Sequence, residues 1–144
     1  MAKTIRQLSV FVENKAGSLS EVLKLIGGEK IDIRAMSIAD TKDFGILRLI
    51  VSDTDKAIGI LKKNDYPVTV TEVIAISVSD TPGGLAGAIG ILDGCGISIE
   101  YMYAFISGAD KTADIIFRVD DNEKASEALV KNGCVLLDDE TVRK

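Results

Sequence analysis

One residue type crowds a single junction of this chain, and another is missing from it altogether. In the stretch SDTPGGLAGAIGILDGCGISIE, from Ser79 to Glu100, glycines stand at 83, 84, 87, 90, 94 and 96, where a strand should meet a helix. Glycine-rich turns at such junctions often cradle phosphate with bare backbone amides. The missing type is histidine, of which the chain has none. That takes away the commonest general base, the Ser-His-Asp arrangement and the usual zinc ligand together. Cys95 and Cys134 make no CxxC motif and read as small buried thiols, with nothing near Cys95 in sequence to activate it. No cofactor or metal is expected.

The phosphate reading fails on spacing. A dinucleotide fingerprint needs G-x-G-x-x-G, and Gly83-Gly84-Leu85-Ala86-Gly87 does not supply it. Nor is there a G-x-x-x-x-G-K-[ST] loop. A comparison inside the chain closes the matter. Shifted by 66 residues, Asn14 to Met36 falls on Asp80 to Met102, with Gly17/Gly83, Leu19/Leu85, Gly28/Gly94, Ile31/Ile97, Ile33/Ile99 and Met36/Met102 identical. At a shift of 68, Val51/Val119, Asp53/Asp121, Lys56/Lys124, Ala57/Ala125 and Leu61/Leu129 also coincide. The chain is a tandem duplication. The earlier copy of the glycine loop, ENKAGSLSE, keeps one glycine and sets Glu13 and Glu21 beside it, where phosphate would be repelled.

The elements that position these loops follow from periodicity. Residues 5–13 alternate, with Leu8, Val10 and Val12 on one face of a strand. After the Gly17 turn, Ser18 and Glu21 have the spacing of a capping box. The helix they open carries Leu19, Val22, Leu23 and Ile26 on its apolar face and ends at Gly27-Gly28. Strands are expected at 31–39 and 45–51, then a helix opened by Asp53-Thr54-Asp55 with Ala57, Ile58 and Leu61 inward, then a strand at 68–73. The second copy repeats the order: strand 74–79, helix 84–93, strands 97–106 and 113–119, helix 122–132, strand 134–138. The fold class is α+β, two tandem ferredoxin-like βαββαβ units with antiparallel sheets packed side by side, residues 1–73 and 74–144. Each is near the lower size limit for an independent core and almost no linker parts them, so they should act as one body.

What the two loops share is an Asx residue (Asn14, Asp80), a glycine three positions on (Gly17, Gly83) and a leucine (Leu19, Leu85) at a helix N-terminus. Free first-turn amides suit a carboxylate as well as a phosphate. The Asx oxygen adds an acceptor for an ammonium group. Together they match the two ends of a free α-amino acid.

The motif D-x-P-G-x-L, Asp80 to Leu85, followed by G-I-x-I in CGISIEYM, resembles the ACT domain, a small-molecule-binding regulatory module of amino-acid metabolism. ENKAGSL and EKIDIRAM are looser copies, so the resemblance spans residues 5 to 140. It implies ferredoxin-like units that merge sheets side by side and bind an amino acid between the first loop of one unit and the second strand of the other. Carried onto this chain, the ligand residues are Asn14, Ala16, Gly17, Ser18 and Leu19 in one loop and Asp80, Pro82, Gly83, Gly84 and Leu85 in the other. Ser98, Tyr101 and Met102 would face them from the strand, and the second loop holds the fuller motif. Asp32 and Ser98 stand where the family often has asparagine. The assemblies the resemblance admits are a partner enzyme of amino-acid metabolism and a homodimer.

Composition agrees. With 22 Asp+Glu against 17 Lys+Arg and a net charge of −5, there is no basic stripe for nucleic acid or for an anionic membrane. Nothing near Met1 resembles a signal peptide, and no segment approaches the ~20 apolar residues of a spanning helix, so a cytoplasmic location is expected. Tyr101, Met102, Tyr103 and Phe105 are expected as core or interface, Arg48 and Arg118 as solvated, and Arg34 as a partner for Glu100. An acylphosphatase-type enzyme on the same scaffold would need an arginine in the first loop, and neither copy has one. A structural subunit whose pockets have lost their ligand is the remaining alternative.

Overall fold

The computed structural model describes residues 3–40, 44–105 and 112–143. The chain forms two compact units, Arg6–Thr71 and Glu72–Val142, with residues 3–5 counting in the second. The first unit is built from β1 (Ile5–Glu13), α1 (Ser18–Gly28), β2 (Ile33–Asp40), β3 (Phe44–Val51), α2 (Thr54–Lys63) and the start of β4 (Val68–Ser79). The second holds the rest of β4, then α3 (Gly84–Gly94), β5 (Ile99–Phe105), β6 (Thr112–Val119), α4 (Asn122–Lys131), β7 (Val135–Leu137) and α5 (Asp139–Arg143). The β-α-β-β-α-β order therefore runs twice, with antiparallel sheets.

Within the first unit β3 lies between β1 and β2, in register Val10↔Leu47 and Ile38↔Leu47. Within the second, β6 lies between β4 and β5, and β7 pairs β4 from its other side. The alternation read from sequence works as side-chain geometry requires: Leu8, Val10 and Val12 point into the first core with Val22, Ile26 and Leu61. Ile74, Ile76, Leu92, Phe117 and Leu129 form the second core. Leu19 and Leu25 pack against the first, so Leu25 takes part where Leu23 was expected.

The duplication reaches atomic detail. Asp53 and Asp121 cap α2 and α4, their carboxylates accepting the Lys56 and Lys124 amides at 3.1 and 3.0 Å. Asn64 and Asn132 each donate a side-chain N–H to a helix carbonyl, Ile60 and Ala128, at 2.8 Å. Positive φ falls at matched positions: Gly17 and Gly83, Lys30 and Gly96, Asp65 and Gly133. Both second strands carry an irregularity at the same place, Ile33/Ala35 and Ile99/Tyr101.

Several expectations need correction. The two strands expected at 68–73 and 74–79 are one, β4, because no turn residue interrupts the buried run from Val73 to Ile76. The capping box does not form. Gly17, at φ 92, takes the N-cap position and no side chain caps the helix, so Ser18 is already helical. At the far end of α1 the left-handed residue is Lys30 rather than a glycine. Arg34 pairs with Asp32 at 3.1 Å and Glu100 with Arg118 at 3.0 Å, each salt bridge formed along or beside its own strand. A short helix, α5, was not expected; the Asp138 carboxylate opens it by accepting the Thr141 amide at 2.7 Å. The expected strand end at residue 106 lies outside the described residues.

Candidate functional site

Each strand-to-helix loop is shaped by its left-handed glycine. Gly17 and Gly83, at φ 92 and 87, have open space around them, so they are glycine for backbone conformation rather than for close approach. Their carbonyls accept the Glu21 and Gly87 amides at 3.0 and 3.1 Å. The Ser18 and Gly84 amides turn back to Lys15 and Thr81 at 3.3 and 3.0 Å. That leaves the next first-turn amides, at Leu19 and Ser20 or Leu85 and Ala86, with no acceptor inside the helix.

Beside each loop lies a depression, and the two are related by the repeat. In the first unit a cleft of about 430 Å³ is lined by Phe11, Glu13, Lys15, Ser18 and Glu21, by Phe44, and by Asn64, Asp65, Tyr66 and Pro67 of the turn after α2. The turn is tied to β1 by the Phe11 amide, which donates to the Pro67 carbonyl at 3.1 Å. In the second unit a hollow of about 310 Å³ lies against Ser77, Ser79, Gly84, Gly87, Gly133 and Cys134. At the repeat offsets these replace Phe11, Glu13, Ser18, Glu21, Asp65 and Tyr66 in turn. The duplication has thus kept the site and exchanged its lining: charged and aromatic in one copy, small and bare in the other.

The charged cleft has internal order. The Tyr66 phenol is held well above its ordinary range, at about 12, by burial first, then by its hydrogen bond to Glu21 and the charges of Glu21 and Glu13. Glu13 meets Lys15 at 3.2 Å on the exposed rim. Among the described residues no group of three or more His, Cys, Asp or Glu could hold a metal ion, so the carboxylates line a wall without converging. A zwitterion has a partner here for each part: carboxylates for an ammonium, Lys15 and the Ser18 hydroxyl for a carboxylate, and three aromatic rings for a side chain. In the second hollow, burial raises the Cys134 thiol, and no charged side chain lines the wall.

Of the residues singled out in sequence, Ser18 lines the first cleft and Gly84 the second hollow. Asn14 lies over β3, where a Cβ on Gly45 would come within 3.2 Å of its Oδ1. Ala16 and Gly17 are exposed, as are Asp80, Pro82 and Gly83, while Leu19 and Leu85 pack against their cores. Ser98 is exposed, its amide bonded to the Asp120 carboxylate at 3.1 Å. Tyr101 stacks on Tyr103 with centroids 6.5 Å apart, and Met102 is 40% exposed. None of these last three lines the hollow beside Gly84. Sequence reasoning missed Phe11, Phe44, Asn64, Asp65, Tyr66 and Pro67. The signal for Asp65 was the repeat, because its counterpart is Gly133 and both take positive φ.

Comparison with known proteins matches this architecture. The family model for the ACT domain pair covers residues 3–144, and the chain belongs to that family, which is typical of regulatory, generally non-catalytic modules. A Bacteroides thetaiotaomicron protein of known crystal structure is 41% identical, with a TM-score of 0.93 over 99% of this chain and 98% of that one. The ligand-free regulatory subunit of aspartate kinase from Thermus thermophilus shares the fold at 12% identity, TM-score 0.64, over 92% and 94% of the two chains. The corresponding subunit from Thermus flavus does so at 13% identity and 0.61, over 91% and 93%. Comparison with curated proteins finds no match. Among the described residues no helix is long and apolar enough to cross a membrane.

Proposed function

We propose that the chain is a regulatory module that senses a free amino acid, and that the first-unit cleft is where the ligand binds. The observation that carries this is the lining of that cleft, which offers carboxylates, a cation with a hydroxyl, and aromatic surface around about 430 Å³. Pockets for small ligands run from about 300 to 1,000 Å³. In this reading Glu21 and Asp65 receive the ammonium, and Lys15, the Ser18 hydroxyl and the first-turn amides of Leu19 and Ser20 receive the carboxylate. Phe11, Phe44 and Tyr66 cover the side chain. The Asp80–Leu85 loop, with Ser98, Tyr101 and Met102, is the second position, and its fuller sequence motif favours it. The chemistry of the described clefts favours the first.

The partner in this proposal is an enzyme of amino-acid metabolism, of the kind whose aspartate kinase regulatory subunits share the fold. It would act in the cytoplasm as a homodimer whose domains are residues 1–73 and 74–144. Calorimetric titration of the twenty amino acids into the wild type, Glu21→Gln and Asp80→Ala tests the assignment. Loss of the charge at Glu21 should weaken the bound amino acid by about tenfold or more, as for a charge-assisted hydrogen bond of about 1.5–3 kcal/mol. Asp80→Ala should leave it within about twofold. The reverse ranking moves the site to the second loop.

A further inference from the structure

α4 borders a second, unassigned cavity, where buried Ser126 meets the exposed Glu127, Val130 and Lys131. Ser126 is 4% exposed, and its Oγ is buried with no hydrogen-bond partner. Native cores hold few such orphaned polar atoms, and each calls for a physical reason. Beside it opens a space of about 340 Å³ lined by Lys3, Ser126, Glu127, Val130, Lys131 and Leu136. The duplication explains the space. At the offset of 68 the counterpart of Ser126 is Ile58, and that of Leu136 is Val68; both pack against the first core. Where one copy fills the position with an isoleucine, the other has a small hydroxyl, leaving room and an unpaired oxygen together.

We propose that this cavity binds a short aliphatic carboxylate. Val130 and Leu136 form apolar walls for its tail. Two ammonium groups, Lys3 and Lys131, stand against the single carboxylate of Glu127, so the local balance favours an anion. The Ser126 hydroxyl donates to a carboxylate oxygen and is thereby satisfied. This site is separate from the amino-acid cleft and shares no residue with it.

The test uses 4-methylpentanoate, which lacks an amine, titrated into the full chain and followed by amide NMR. Saturable shifts should appear across Ser126–Lys131. Ser126→Ile, which restores the first copy's side chain, should fill the cavity and weaken binding by about tenfold or more while holding or raising the melting temperature. Ser126→Ala, which keeps the space and removes the hydroxyl, should weaken it by about two- to tenfold. The neutral probe 4-methylpentanol should bind more weakly than the anion. An absence of saturable shifts in that segment overturns the proposal. So do binding unchanged in Ser126→Ile, a fall in its melting temperature, or equal binding of the alcohol. Each readout is independent of Glu21, so failure here leaves the amino-acid cleft untouched.

Discussion

Tyr66 makes the charged cleft measurable. Its phenol sits at about 12 against an ordinary 10.0, so the folded state holds that proton more tightly than the unfolded chain. By linkage its contribution to stability is complete below about pH 10 and is lost as pH rises through about 12. A base titration of phenolate absorbance should show a late-ionising component among the three tyrosines. Tyr66→Phe should remove that component and Glu21→Gln should bring it to lower pH; its survival in Tyr66→Phe contradicts the assignment. The glycines separate by the same residue-level logic. A Cβ on Gly84 would drive into the Ser79 carbonyl, whereas Gly87 has open space. Gly84→Ala should therefore cost about 1–3 kcal/mol in chemical denaturation. Gly87→Ala, inside a helix, should gain about 0.5–1 kcal/mol. Equal effects would mean that the loop yields where close packing forbids it.

At the scale of elements, the two copies make a matched experiment. Asp53 and Asp121 cap their helices with the same bond, so Asp53→Ala and Asp121→Ala should each cost about 0.5–2 kcal/mol. A neutral effect at one of them would show that the repeat's capping geometry is not energetically equivalent. These helices were legible because Asp-x-x-Lys puts a short acceptor next to an amphipathic run. At the start of α1 the sequence signal and the structure differ for a physical reason: Ser18 and Glu21 have capping-box spacing, yet Gly17 can adopt left-handed φ and starts the helix first. The repeat boundary at Val73 and Ile74 is not an element boundary, because nothing there turns the chain and β4 runs straight through it. The cleft was only half legible. Ser18 is on the loop that sequence pointed to, but Asp65 and Tyr66 arrive from the turn after α2, a meeting that no local pattern announces. Repeat logic carries further than motif logic here, since Gly133 and Cys134 mark the same place in the second copy.

At the scale of the whole molecule, duplication has produced two units with one backbone plan and different side-chain chemistry. The first keeps charge and aromatic surface at its cleft. The second strips that place to glycine, serine and cysteine and opens a separate space at Ser126. Under the proposed function, one copy retains the ligand and the other is released to change. The central claim, that a free amino acid binds the native chain, is tested most directly by a thermal-shift screen of the wild type against all twenty. A ligand at about 100 times its dissociation constant should add about 2.7 kcal/mol, a rise of about 4 °C or more for a chain of this size. The account predicts that rise for at least one amino acid. A flat response to all twenty would contradict it and leave a structural subunit in its place.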